Sequence, residues 1–226
     1  MTRIILIVSL LFMQLFSQEN KKEETLDLKN SALVLIEYQN EWLSKNSKLD
    51  FLMKDKQQFK DSVIASKKVL AFARKIGMPI IHVPLIVSDD YREFGKEKAK
   101  YGLRAVIQKV GTWQGESKDF HEDFKPLKNE FIVSGRVGAS AFAGSNLEAI
   151  LNNNEIKNLY FIGYATNVCV ESSFRQAHDL GYNSYVIDDA TSAFTKEQKE
   201  FFLKEIVHHF GSSLKTNAFI NLKVKN

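Results

Sequence analysis

A single cysteine stands in the 226-residue chain, at Cys169, inside Gly163-Tyr164-Ala165-Thr166-Asn167-Val168-Cys169-Val170. The apolar run Asn158–Ile162 precedes it, and a helical pattern through Leu180 follows. A thiol at a strand-to-helix junction meets the unpaired N–H groups of the helix start, which favour a thiolate. Two charged residues sit at comparable places. Glu37 ends the apolar stretch Ala32–Tyr38, and Arg136 follows Glu130–Gly135. An acid inside an apolar strand is costly unless it is paired or used. An acid, a cation and a thiol that converge make a nucleophilic site. Against this stand plainer readings: a lone cysteine as a small buried hydrophobe, Glu37 as half of an ion pair, and Arg136 as a solvated loop charge.

The elements that would position these groups alternate. Strands are expected at Ala32–Tyr38, Met78–Leu85, Glu130–Gly135, Asn158–Gly163, Asn183–Asp189 and Asn217–Leu222. Between them the spacing of apolar residues predicts helices over Gln57–Ile76, Asn146–Asn154, Val168–Leu180 and Thr195–Phe210, the last with Thr195 and Gln198 as a capping box. The segment Val87–Lys125, charged, aromatic and rich in glycine, reads as an excursion within one domain. Continuous apolar strands alternating with helices imply an α/β fold: a doubly wound, mostly parallel, six-stranded sheet with helices on both faces. In such sheets ligands bind beyond the carboxyl ends of the strands, where Glu37, Arg136 and Cys169 all fall.

Composition narrows the function classes. At 44% hydrophobic and 26% charged, with a net charge of +4, the chain has a globular composition. Lysines and arginines alternate with acids, which argues against nucleic acid as a partner. One cysteine excludes an internal disulfide and a cysteine-built zinc site. The five histidines show no metal-ligand spacing, and no strand is followed by a Gly-x-Gly-x-x-Gly turn. The expectation is no metal and no cofactor. Residues 1–18 have the layout of a signal peptide: Arg3, the apolar run Ile4–Phe16, then Ser17-Gln18. The run falls short of the roughly 20 residues of a stable membrane span. Export is therefore expected, with an N-terminal membrane anchor as the alternative. Residues 19–30 read as a polar, mobile lead-in, and 31–226 as the folded domain.

The stretches Ala32–Trp42, Gly138–Leu151 and Gly163–Phe194 resemble the isochorismatase-like cysteine hydrolase family, which includes nicotinamidases, N-carbamoyl-amine amidohydrolases, ureidoacrylate hydrolases and isochorismatases. The third is the most specific, and the similarity runs from about Ser31 to Gly211. The resemblance implies a triad. Cys169 matches its nucleophile, Glu37 falls where the family has Asp, and Arg136 falls where it has Lys. It also implies a cis peptide before Ala165 and an oxyanion site built from the backbone N–H groups of Ala165 and Cys169. The reaction implied is cleavage of an amide or carbamoyl C–N bond of a small molecule through a thioester, by a homo-oligomer. Two rivals stand beside it: a non-catalytic binding protein on the same scaffold, and a vinyl ether hydrolase that needs no thiolate. Tyr38, Gln39, Trp42, Phe142 and Tyr164 are candidates for the substrate pocket, with Trp113 beside them. The lysines and arginines of the excursion, Arg104 among them, would suit an anionic substrate, or else form a solvated face.

Overall fold

The computed structural model describes residues 25–225. In chain order the elements are β1 (Thr25–Asp27), β2 (Ser31–Ile36), α1 (Asn40–Leu43), α2 (Lys56–Ile76), β3 (Ile80–Val83), α3 (Gly102–Val110), β4 (Phe131–Ile132) and α4 (Leu147–Asn153). They continue with β5 (Asn158–Tyr164), α5 (Glu171–Asp179), β6 (Asn183–Ser192), α6 (Lys196–Phe201), α7 (Val207–Phe210), β7 (Ser212–Leu214), α8 (Thr216–Phe219) and β8 (Lys223–Lys225). Six strands form one sheet in the order β4-β3-β2-β5-β6-β7, and every pair is parallel. The proposed signal segment, residues 1–18, lies outside the described residues. Among those described, no helix is long and apolar enough to cross a membrane.

Alternation along the central strands divides the core. Leu33 and Leu35 of β2 point to the same side as Tyr160, Ile162 and Tyr164 of β5, where Val69, Leu70 and Ala73 of α2 cover them. Ala32, Val34 and Ile36 point the other way with Leu159 and Phe161, against Leu147 and Leu151 of α4 and Phe174 and Ala177 of α5. A period of two on buried strands therefore yields two apolar layers, each closed by helices. The long helix α2 is bounded as its sequence dictates. Asp55 accepts a hydrogen bond from the Gln58 N–H at its start, and Gly77 takes the left-handed conformation at its end. The Thr195–Gln198 capping box is present at the start of α6.

Two expectations are corrected. Asn217–Leu222 is not the sixth strand. Its first part lies in α8, where the Thr216 N–H and hydroxyl both donate to Asp189 Oδ1 and Phe219 is buried against Phe72 and Tyr160. The sixth strand is the short polar β7, paired with Tyr185–Ile187. Nor is the whole lead-in loose. Thr25–Asp27 pairs in parallel with Lys223–Lys225 in a separate two-stranded sheet, with Leu26 fully buried. The His82 side chain in β3 is a paired core group. Its Nε2 lies 2.8 Å from Glu130 Oε2, and Arg74 Nε lies 2.8 Å from Glu130 Oε1. These partners, with the Leu127 N–H, hold the Glu130 carboxyl at about 2 against the opposing effect of burial.

The strand order reverses between β2 and β5. Chain leaving β2 turns towards β3, and chain leaving β5 turns towards β6, so their carboxyl ends open a crevice. Close approach is required there. Gly163 has φ of +127°, and a Cβ on it would lie 2.1 Å from the Ile36 carbonyl oxygen. Only glycine allows the two strands to meet at that level.

Candidate active site

Three strand ends deliver the three candidate groups to that crevice. Glu37 directly follows β2, Arg136 follows β4, and Cys169 lies in a π-helical turn, Thr166–Val170, between β5 and α5. Glu37 has a left-handed backbone, φ +58°, a conformation costing roughly 1–2 kcal/mol for a residue with a Cβ. Strain of that kind gathers at functional sites. It turns the carboxylate out of the sheet's alternation.

Glu37 and Arg136 form an ion pair shielded from water. Arg136 Nη2 lies 2.7 Å from Glu37 Oε1, and both side chains are almost wholly buried. The guanidinium is fixed further by its own loop, with Nε donating to the Gly138 carbonyl at 3.0 Å and Nη2 to the Ala139 carbonyl at 2.7 Å. Its Nη1 is buried without a hydrogen-bond partner. Burial by itself would lower the Arg136 pKa, but the Glu37 carboxylate and Cys169 outweigh it and raise the value above the ordinary one. Arg136 is a permanent cation here.

The thiol differs from the sequence expectation of a helix-stabilised thiolate. Burial, and next the Glu37 carboxylate, push its pKa well up, while Arg136 pulls it down. Desolvation and a neighbouring anion both disfavour S⁻. The resting group is a neutral thiol that shares its cavity with Glu37 and Arg136. Its backbone is anchored too, since the Ser173 hydroxyl donates to the Cys169 carbonyl at 2.6 Å. The Tyr164–Ala165 peptide is cis, at the place the resemblance implies.

All three groups line one cavity of about 340 Å³. Its polar floor is Glu37, Arg136 and Cys169. Most of its wall comes from the excursion: Phe94, Tyr101, Leu103, Arg104 and Ile107 from one part, and Trp113 from another. Leu85 and the loop Val137–Ala139 complete it. Excursion residues other than Trp113 and Arg104 were missed as pocket residues. Leu103 and Ile107 stand four apart on α3, and that spacing is the signal that would have found an apolar helix face. Arg104, at the exposed rim, stacks over Phe94 with 5.8 Å to the ring centroid.

Trp113 lines the cavity, but none of the five pocket candidates Tyr38, Gln39, Trp42, Phe142 and Tyr164 does. Tyr38 and Tyr164 belong to the apolar layer under α2, where their hydroxyls bond Ser66 and Ser62. Strand alternation sends Tyr164 to the face opposite the thiol. Phe142 packs in the other layer against Tyr182. Gln39 is a strut. Its amide nitrogen donates to the Leu85 and Lys118 carbonyls, and its oxygen accepts from the Leu85 N–H and Trp113 Nε1. Trp42 donates its indole N–H to Glu37 Oε2 at 2.8 Å. Buried Glu41, not anticipated, accepts from the Lys48 and Trp113 backbone N–H groups. The segment Glu37–Trp42 thus carries the acid and also ties down the aromatic wall. Among the described residues, no group of three or more His, Cys, Asp or Glu is placed to hold a metal.

Comparison with known proteins agrees with this architecture. The model of the isochorismatase domain matches residues 31–218. The chain is 30% identical over 181 residues to the ureidoacrylate amidohydrolase of Agrobacterium fabrum, covering 74% of this chain and 78% of that one. Among solved structures, a cysteine hydrolase from Pseudomonas syringae pv. phaseolicola superposes with a TM-score of 0.75 at 20% identity, covering 87% of this chain and 93% of that one. The N-carbamoylsarcosine amidase of Thermoplasma acidophilum does so with a TM-score of 0.63 at 20% identity, covering 83% and 97%. The six-stranded parallel sheet is shared with these neighbours, and the sequence match spans all three strand ends of the crevice: the chain belongs to the isochorismatase family.

Proposed function

We propose that this protein is a cysteine hydrolase that cleaves an amide or carbamoyl C–N bond of a small molecule. The observation that carries the reading is the meeting of Cys169, Glu37 and Arg136 on the floor of one cavity. Relatives named as amidohydrolases support the bond class. Since the resting thiol is neutral, Glu37 accepts its proton as sulfur attacks the substrate carbonyl. The Ala165 and Cys169 backbone N–H groups are assigned to the oxyanion, and a donor of that kind is worth about 10²–10³ in rate. The free Arg136 Nη1 is available to a second polar atom of the substrate. Collapse of the tetrahedral adduct breaks the C–N bond, and the amine leaves with the proton held by Glu37. Water, deprotonated by the same carboxylate, then hydrolyses the thioester and restores the thiol.

Arg104 at the rim makes carbamoyl compounds with a carboxylate the first to test. Ureidoacrylate, N-carbamoyl amino acids and simple primary amides, incubated with the mature protein and followed by mass spectrometry, should show hydrolysis of at least one carbamoyl compound. Binding without turnover across the panel would favour the non-catalytic scaffold. Turnover of isochorismate that survives Cys169→Ala would favour the ether hydrolase.

The leader completes the proposal. Its basic start and short apolar run support export with cleavage near Gln18 or Glu19. A protein recovered from the cell envelope or medium with residues 1–18 intact would refute cleavage, and would favour the anchor if it stays with the membrane.

A further inference from the structure

We propose that Trp42 is the positioning residue of the catalytic acid–base: its indole N–H fixes the Glu37 carboxylate in the orientation that receives the thiol proton. The inference rests on the cysteine hydrolase reading. Glu37 carries one methylene more than an aspartate, and each added torsion gives the carboxylate more orientations to sample. The structure holds it from both sides. Arg136 lies 2.7 Å from Oε1, and Trp42 Nε1 donates to Oε2 across 2.8 Å. Each oxygen keeps a lone pair free for the thiol proton.

The indole itself is immobile. It is buried, meets Trp113 edge-on with centroids 5.6 Å apart, and lies 6.3 Å from Phe194. It is not among the residues that line the cavity, so its contribution runs through Glu37 and not through substrate. Among the described residues, the charged partner of Glu37 is Arg136, and the titratable group sharing its cavity is Cys169. Arg136 stays charged throughout the working range. A loss of acylation rate on altering Trp42 that vanishes when Glu37 is altered as well therefore reports the Glu37 carboxylate. Without its indole donor the carboxylate samples orientations that do not receive the thiol proton, and the acylation rate should fall about tenfold.

The experiment measures acylation of Cys169 by p-nitrophenyl acetate against pH, read as the p-nitrophenolate burst, with thermal unfolding alongside. Trp42→Phe keeps a ring in the aromatic cluster and removes the donor. Expected is an acylation rate about tenfold below wild type wherever the burst is read. In the Glu37→Gln background, adding Trp42→Phe should leave the rate unchanged. Should the smaller ring fail to fold, benzothienylalanine at position 42 replaces the N–H with sulfur at nearly constant shape and gives the same comparison. A rate that stays at the wild-type value, or one that falls equally in both backgrounds, would overturn the assignment. A wild type in which Cys169 is not acylated at all would instead sink the cysteine hydrolase reading beneath it.

Discussion

Replacing Glu37 with glutamine should change two rates in opposite directions. Hydrolysis of the carbamoyl substrate should fall by about 10²–10⁴, the usual contribution of a positioned general base. Alkylation of Cys169 by iodoacetamide near neutral pH should rise by roughly tenfold, a shift of about one pKa unit. The sign follows from the site's charges. Burial and then the Glu37 carboxylate hold the thiol pKa above its ordinary value. Burial persists in the variant, while the repulsion between carboxylate and thiolate is gone, so S⁻ forms more readily. Because Cys169 is the only cysteine in the chain, every alkylation signal belongs to it. Cys169→Ala supplies the zero for both measurements and should remove hydrolysis by at least ~10⁴-fold. The wild-type midpoint should lie above the free-thiol value of about 8.5. A wild-type midpoint well below it would contradict the neutral resting thiol, and so would slower alkylation in Glu37→Gln.

The second large effect concerns Arg136. Arg136→Met should destabilise the fold by about 3–5 kcal/mol, because it strands the buried Glu37 carboxylate without its cation. For a chain of this length that is a fall in Tm of roughly 10 °C. The Gly138 and Ala139 carbonyls, which the guanidinium bonds, lose their donors in the same step. Combining Arg136→Met with Glu37→Gln should recover a large part of the loss, since no uncompensated charge then remains inside. Neighbours that share one interaction are non-additive in this way. Thermal unfolding of the four proteins in the cycle decides it. Single-variant losses that simply add in the double variant would show that the pair is not the buried unit described here. Arg136→Lys keeps the charge, yet a lysine cannot reproduce the two carbonyl contacts together with the carboxylate. It should fall between wild type and Arg136→Met.

Much of the molecule could be read from the chain alone. Continuous apolar runs between helical stretches specify buried parallel strands, because both faces of each strand must be covered. The ends of those runs marked Glu37, Arg136 and Cys169, and the α/β ordering placed all three at the same edge of the sheet. The capping box at Thr195 and the glycine stop at Gly77 are local signals, readable because local hydrogen bonding determines them. What failed were assignments that depend on neighbours distant in sequence. The polar triplet Ser212–Leu214 is a strand because β6 offers it an open edge, whereas Asn217–Leu222, more apolar, yields its first residues to a helix tied to Asp189. Thr25–Asp27 is ordered by a partner almost two hundred residues away, at Lys223–Lys225.

The site divides along the same line. Residue types and their places along the chain were enough to name the candidate groups: one thiol, one acid in an apolar strand, one cation after a strand. How those groups are charged and what surrounds them came from the folded arrangement. The helix start suggested a thiolate, yet burial beside Glu37 makes the resting group a thiol. Aromatic residues near the motifs suggested a pocket wall, yet alternation turned Tyr38 and Tyr164 into the core under α2, and the wall came mainly from the excursion. Trp42, a pocket candidate by its place in the motif, is a hydrogen-bond donor to the acid. The physical reason is common to all three. Residue type fixes what a group can do, whereas desolvation, the sign of neighbouring charges and the direction of a side chain arise only when strands far apart in sequence meet.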